Sequence, residues 1–235
     1  MKEIVNAVLK HSYDNKLTHV PSALSMLTYI YSIFKNRAVV PGQSKIVLGK
    51  PFGSQAYYVV WRELGLIDSI DNLSMGVKHN EIDFVDYSEE TMGNALGVAA
   101  GIAMAHPDQL VWVNLTDATL QMGSTLEAIQ YIGHNQLNNI FVTVDYNNRQ
   151  VTGKTSEVLS VKPVLELFWN YKWDMTETNG HVLDGITDST YWLARNLPPR
   201  PLVHIYRTVK GYGVPYMEED PVKWHYRAMP EEVVL

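Results

Sequence analysis

Val111-Trp-Val-Asn-Leu-Thr-Asp-Ala-Thr-Leu-Gln-Met-Gly-Ser-Thr-Leu-Glu-Ala-Ile129 and, shortly after it, Asn139-Ile-Phe-Val-Thr-Val-Asp-Tyr-Asn-Asn-Arg-Gln150 decide the fold. Two apolar runs, Leu110 to Leu115 and Ile140 to Asp145, have the length and β-branched content of buried strands, and a helix over Ser124 to Tyr131 joins them. Strand, helix and strand make a βαβ unit, which requires parallel strands and crossover helices. Ligands of such sheets bind at the carboxyl ends of the strands. Asp117 and Asn147 fall just beyond two of these ends, so they converge on one rim. A carboxylate and a carboxamide there offer hard oxygen ligands for Mg²⁺ or, in a looser shell, Ca²⁺. Each has a plainer role: Asp117 as the N-cap of the following helix, Asn147 as a turn residue. On spacing alone those plainer roles are favoured.

Outward from this unit, Leu202 to Tyr206 reads as a further strand, and the Pro198-Pro-Arg-Pro201 stretch before it as a rigid turn. Helical patterns cover Ile4 to Lys10 and Ser22 to Phe34, separated by a polar loop. Lys45 to Leu48 is a short buried strand, and a turn at Gly49 to Ser54 leads into a helix over Gln55 to Leu66. The polar segment Asp68 to Glu81 reads as a rim loop. Thr91 to Ala105 is helical, with Gly93, Gly97 and Gly101 recurring every fourth residue, so one face lacks side chains and permits close approach. The fold class is therefore α/β: a three-layer domain with a mainly parallel central sheet flanked by helices. No repeat or flexible linker interrupts it, and residues 1–235 read as a single domain.

Composition agrees with that class and narrows the function. The chain has 235 residues, 46% hydrophobic and 19% charged, enough to bury a large core. A net charge of −6 argues against nucleic acid or an anionic membrane as the main partner, because both call for a basic face. With no cysteine there is neither a disulfide nor a thiolate centre. No apolar run reaches membrane-spanning length and the first residues lack a signal-peptide core, so the expected location is cytoplasmic.

The quoted stretch resembles the thiamine diphosphate motif of transketolases, in which Gly-Asp-Gly is followed about thirty residues later by Asn. The resemblance runs along nearly the whole chain. His19-Val-Pro-Ser-Ala-Leu-Ser25 is similar to the family's Gly-His-x-Gly-x-x-Leu segment. Met92 to Ala105 is similar to its Leu-Gly-x-Gly-Leu-x-x-Ala-x-Gly-Met-Ala helix. Leu120 to Ala128, Val144 to Asn147, Asn179-Gly-His181, and Lys210 to Glu218 with Lys223 to Tyr226 match in kind and in order.

This resemblance implies that Asp117, Asn147 and the main-chain carbonyl of Arg149 hold a divalent cation, Mg²⁺ or Ca²⁺, bridging the cofactor diphosphate. It implies a small residue at Ala118 so that a main-chain N–H reaches a phosphate, and a second donor at His225. Met92 falls where a large apolar residue supports the cofactor rings, although a core methionine is the plainer role. His19 and His79 fall where the family places histidines that line the funnel and handle substrate protons, and His225 would be a diphosphate or active-site donor. Taken singly, each histidine is as well read as a surface or capping residue. Glu127 matches a glutamate near a subunit contact. Lys50 sits in a turn like Ser-Lys-Gly-His, with a surface lysine the plainer reading.

Four departures stand out. Phe52 replaces the histidine of that turn, removing a donor. Glu90 stands near a glycine expected beside the cofactor, where an inward carboxylate would repel the diphosphate. Thr116 and Ala118 replace both glycines flanking the aspartate, and Met122 replaces a glutamate used between subunits. These changes point to a divergent member, one in a specialised biosynthetic pathway, acting on a small sugar or ketose. The family's activating glutamate lies on a pyrimidine-binding domain not represented here. The expectation is therefore the N-terminal subunit of a split transketolase-like enzyme, inactive by itself, which pairs with a C-terminal pyrimidine-binding subunit in an α2β2 heterotetramer. Two other readings stay open: a different thiamine diphosphate reaction, such as two-carbon transfer to a carrier-protein thiol or a decarboxylation, and a noncatalytic regulatory subunit.

Overall fold

A computed structural model describes residues 1–71, 73, 75–78, 80–183 and 199–229. The chain opens with helices α1 (Lys2–Asp14) and α2 (Val20–Lys35), strand β1 (Lys45–Leu48) and helix α3 (Gln55–Glu63). Strand β2 (Tyr87–Ser88), helix α4 (Ala95–Ala105) and strand β3 (Val111–Thr116) follow. A 3₁₀ turn at Asp117–Gln121 then leads into α5 (Gly123–Asn135) and β4 (Ile140–Tyr146). Helices α6 (Thr155–Val158) and α7 (Lys162–Asn170), strands β5 (Asp174–Asn179) and β6 (Leu202–Arg207), and helix α8 (Pro215–Glu219) complete the described elements.

The six strands form one sheet in the order β2-β1-β3-β4-β6-β5, every neighbouring pair parallel. Burial on both faces explains why β3, β4 and β6 read as near-continuous apolar runs rather than alternating ones. One face carries α1, α2 and α3 around Tyr29, Trp61 and Trp112; the other carries α4, α5 and α7 around Leu96, Ile129 and Phe168. This is the expected three-layer α/β arrangement.

From β1 the chain moves outward to β2 and then returns to lay β3 on the other side of β1. That reversal is a topological switch point, and it opens a crevice beyond the carboxyl ends of β1 and β3. Gly49, directly after β1, makes the close approach there possible. A Cβ on it would sit 2.8 Å from the Ala95 Cβ and 3.3 Å from the Asn114 carbonyl oxygen.

Three expectations change. Helix α4 starts at Ala95 rather than Thr91, because Gly93 lies at φ +130°. The Glu89 carboxylate also accepts the N–H groups of Gly93, Asn94 and Ala95, at 3.0, 2.8 and 2.8 Å, and so caps the helix start. Only Gly97 and Gly101 of the glycine series therefore belong to the helix, and a Cβ on either would meet nothing within 4 Å. Strand β5 is the second: as an edge strand its exposure alternates, which hides it in a polar sequence. The two-residue β2 is the third. Pro198 of the turn before β6 lies outside the described residues. Among the described residues no helix is long and apolar enough to cross a membrane.

Candidate active site

At the carboxyl rim a cavity of about 350 Å³ gathers residues from Thr18 to Tyr226. The ends of β1, β3 and β4 supply Lys50, then Thr116 and Ala118, then Asn147 and Arg149. Phe52, Met75 and Met92 add apolar wall, and Lys210, His225 and Tyr226 close it from the last described segment. A larger hollow of about 660 Å³ runs between α4 and α5 past Gly97, Gly101, Met104 and Tyr131. Its charged lining is the exposed Glu127, whereas the smaller cavity gathers Lys50, Arg149, Lys210 and two histidines and is the candidate site.

Asp117 is fully buried between two residues that line the cavity. Its carboxylate accepts the Asn148 N–H at 2.6 Å, the Ala118 N–H at 2.8 Å and the Thr116 hydroxyl at 3.2 Å. It takes part in no ion pair among the described residues. Burial, and then the neighbouring Asp145 charge, push its pKa up to about 6. A buried anion held this way is suited to a cation. Three donors leave free one of a carboxylate's roughly four lone-pair positions, and Asn147 and Arg149, on either side of the Asn148 N–H that bonds Asp117, line the cavity wall. The donor set fits a hard divalent ion.

Lys50 corrects the plainer reading of a surface lysine. It is 5% exposed, donates to the Ser22 carbonyl at 3.0 Å and forms an ion pair with the fully buried Asp145. Burial alone would raise the Asp145 carboxyl, but the Lys50 charge with hydrogen bonds from Lys50, Thr208 and Ser25 holds it below the usual range. Lys210, also buried in the cavity wall, joins no ion pair among the described residues; burial and then Lys50 lower its pKa to about 8. Its ammonium lies 2.8 Å from His225 Nδ1. An ammonium only donates, so Nδ1 accepts and the imidazole proton sits on Nε2.

His19 and His225 meet at 4.7 Å between ring centroids, edge to face, and the His19 N–H donates to the His225 carbonyl at 3.0 Å. His19 takes the left-handed φ of +60° at the start of α2, a conformation that costs a non-glycine residue about 1–3 kcal/mol. The turn nonetheless places its ring in the cavity wall. Burial and then the Lys210 charge lower its pKa to about 4; the same causes, joined by His19, lower His225 to about 3. Both rings are therefore neutral at pH 7.

This gives a pH prediction with a defined sign. His19, His225, His181 and the fully buried His204 all titrate lower in the folded chain than the ordinary 6.5. The unfolded chain binds the extra protons, so stability is complete above about 6.5 and falls as pH drops towards 4. Each group contributes up to about 1.4 kcal/mol per pH unit there, opposed in part by Asp117. Urea midpoints measured from pH 7 to pH 4 are expected to fall, and His204→Gln is expected to flatten the slope.

The structure brings together His19, Met92, Asp117, Ala118, Asn147, Arg149 and His225. His79 lies outside the described residues. Phe52 lines the cavity and stacks on His19 at 4.8 Å. Glu90 is exposed and lines no part of the cavity; the inward carboxylate is its neighbour Glu89, occupied in capping α4. Lys50, Asp145 and Lys210 are site residues that sequence reasoning gave no role. Lys50 stands at a strand end like Asp117, and that position was the available signal.

Known proteins are similar to this chain in sequence and in fold. An apulose-4-phosphate transketolase subunit of Phocaeicola vulgatus is 26% identical over 233 residues, covering 91% of this chain and 82% of the relative. Transketolase-like protein 2 of Mus musculus is 27% identical over 206 residues, but this chain spans only 32% of its length. The solved transketolase of Leishmania mexicana superposes with a TM-score of 0.77 over 99% of this chain and 40% of that one, at 17% identity, a likeness of fold. The family described as transketolase, thiamine diphosphate binding domain, matches residues 98–234, from within α4 past the β3–α5–β4 rim to His225, and the chain belongs to it.

Proposed function

We propose that this chain is the diphosphate-binding subunit of a two-component, thiamine diphosphate-dependent transketolase-like enzyme that moves a two-carbon ketol unit from a small ketose donor. The observation that carries the reading is the pairing, at one switch-point rim, of the buried Asp117 with Asn147 beside the cationic wall of Lys210 and Arg149. Asp117, Asn147 and the Arg149 carbonyl would hold Mg²⁺, with Ca²⁺ as a looser substitute. The Ala118 main chain, Lys210 and His225 would serve the diphosphate, and Met92 would support the rings.

When bound, the cofactor supplies an acidic ring carbon that adds to a carbonyl and accepts electrons as a carbon–carbon bond breaks. The chain's own residues orient and dry the cavity. In neutral His225, Nδ1 is taken by Lys210, so its Nε2–H is the donor left for a substrate oxygen; in His19, Nδ1 is paired with Thr18, so Nε2 is the atom left to face a substrate hydroxyl, and His79 is proposed to join them. Phe52, Met75 and Tyr226 exclude water. The whole chain 1–235 acts as one domain in the cytoplasm. The partner is a pyrimidine-binding subunit in an α2β2 assembly, a pairing supported by the Phocaeicola relative's being named for one subunit of its enzyme, with the open glycine face of α4 and Glu127 at the contacts.

The test is ketol transfer from ketose donors, assayed with and without a co-expressed candidate partner, alongside calorimetry with thiamine diphosphate and Mg²⁺. Activity is expected only with both chains. Transfer by this polypeptide without a partner would overturn the two-component reading, and absence of cofactor uptake by the complex would overturn the rest.

A further inference from the structure

We infer that the buried Lys50–Asp145 pair, acting with Ser25, fixes which end of the Asn147 carboxamide faces the cation site. Asp145 and Ser25 are thus positioning residues for a ligand oxygen. The inference rests on the proposed role of Asn147 and adds how that role is enforced.

An ionised carboxylate only accepts hydrogen bonds. Asp145 is fully buried and is surrounded by donors: Lys50 Nζ, the Thr208 hydroxyl, the Ser25 hydroxyl at 2.7 Å and Asn147 Nδ2 at 2.9 Å. With its proton given to Asp145, the Ser25 oxygen accepts the second amide hydrogen of Asn147, at 3.1 Å. Both hydrogens of the amide are then used on the buried side. Oδ1 is left on the side of the Arg149 N–H, which it accepts at 2.9 Å, with one lone pair unused.

Turning the amide over would set its oxygen against the Asp145 carboxylate and its NH₂ against the Arg149 N–H, losing every one of these bonds. Lys50 makes the arrangement tolerable by pairing with the buried Asp145 carboxylate, whereas Asp117 joins no ion pair among the described residues. The same logic explains a carboxamide at position 147, since a carboxylate there would face Asp145 with like charge.

Two variants separate positioning from plain support, because each removes one hydroxyl donor from Asp145 but only one touches the amide. Ser25→Ala frees an amide hydrogen of Asn147; Thr208→Val leaves that amide alone. In calorimetric titrations of the complex with its partner subunit, using thiamine diphosphate at graded Mg²⁺, Ser25→Ala is expected to raise the half-saturating Mg²⁺ about tenfold. Thr208→Val is expected to stay within about twofold of wild type at a similar loss of melting temperature. Equal effects of the two, or a Ser25→Ala value within about twofold of wild type, would overturn the inference.

A ligand-free measurement keeps the outcomes apart. The Asn147 side-chain amide protons, followed by NMR, are expected to exchange slowly in wild type and quickly in Ser25→Ala. If the wild-type complex with its partner takes up no cofactor, the proposed function fails, while fast wild-type amide exchange in the ligand-free chain would sink the orientation argument by itself.

Discussion

Asp117→Ala is expected to lower thiamine diphosphate uptake in the presence of Mg²⁺ at least about a hundredfold while leaving a folded chain. The two effects separate because this carboxylate contributes little to the stability of the ligand-free fold. It is fully buried, lacks an ion-pair partner among the described residues, and titrates near 6 because burial and Asp145 disfavour its charge. Above that pH the folded chain bears an uncompensated anion, a cost that alanine removes against three lost hydrogen bonds. Melting temperature of the ligand-free variant is therefore expected within a few degrees of wild type. A bound cation reverses the balance, since its attraction falls on the oxygens that burial penalised. Below about pH 6 the cation competes with a proton for those oxygens, and wild-type affinity is expected to fall accordingly. Uptake by Asp117→Ala within about threefold of wild type would remove the cation site from this rim.

Lys50→Met is the second large effect and falls on stability. The variant keeps the side chain's bulk but leaves Asp145 buried without its cation, and breaking a pair at this depth costs about 3–5 kcal/mol. Lost with it is the hydrogen bond to the Ser22 carbonyl that joins the end of β1 to α2. Urea unfolding is expected to show a stability loss of that size, or a chain that does not fold. Adding Asp145→Asn, which removes the stranded charge, is expected to restore most of the loss. A drop of less than about 1 kcal/mol for the single variant would mean that Asp145 is not held as an ion pair.

What could be read from sequence followed from burial. Strands covered on both faces are written as apolar runs, so β1, β3, β4 and β6 were legible, and with them the rim that collects Asp117 and Asn147. Strand β5 was hidden because its outer edge lets polar residues alternate into Asp174-Met-Thr-Glu-Thr-Asn179. Neither candidate oxygen ligand could be told from a cap or a turn residue by spacing; the resemblance along the rest of the chain is what singled them out. Lys50 was misjudged because a lysine is charged in any sequence, and its partner Asp145 stands far along the chain on another strand. Glu89 and Glu90 look alike as neighbours, and only the left turn at Gly93 decides which of them is drawn into the helix cap.

The parallel sheet carries a consequence for kinetics. Pairing β1 with β3, and β4 with β6, requires closing loops of dozens of residues, so contact order is high and folding is slow relative to a helical bundle of equal length. The pocket draws on segments from Thr18 to Tyr226, so it is complete only once all of them have docked, a step expected to fall after the folding barrier. A coenzyme that recognises the finished pocket therefore cannot speed folding; the stabilisation it confers must appear as slower unfolding, lengthening the lifetime of the loaded chain.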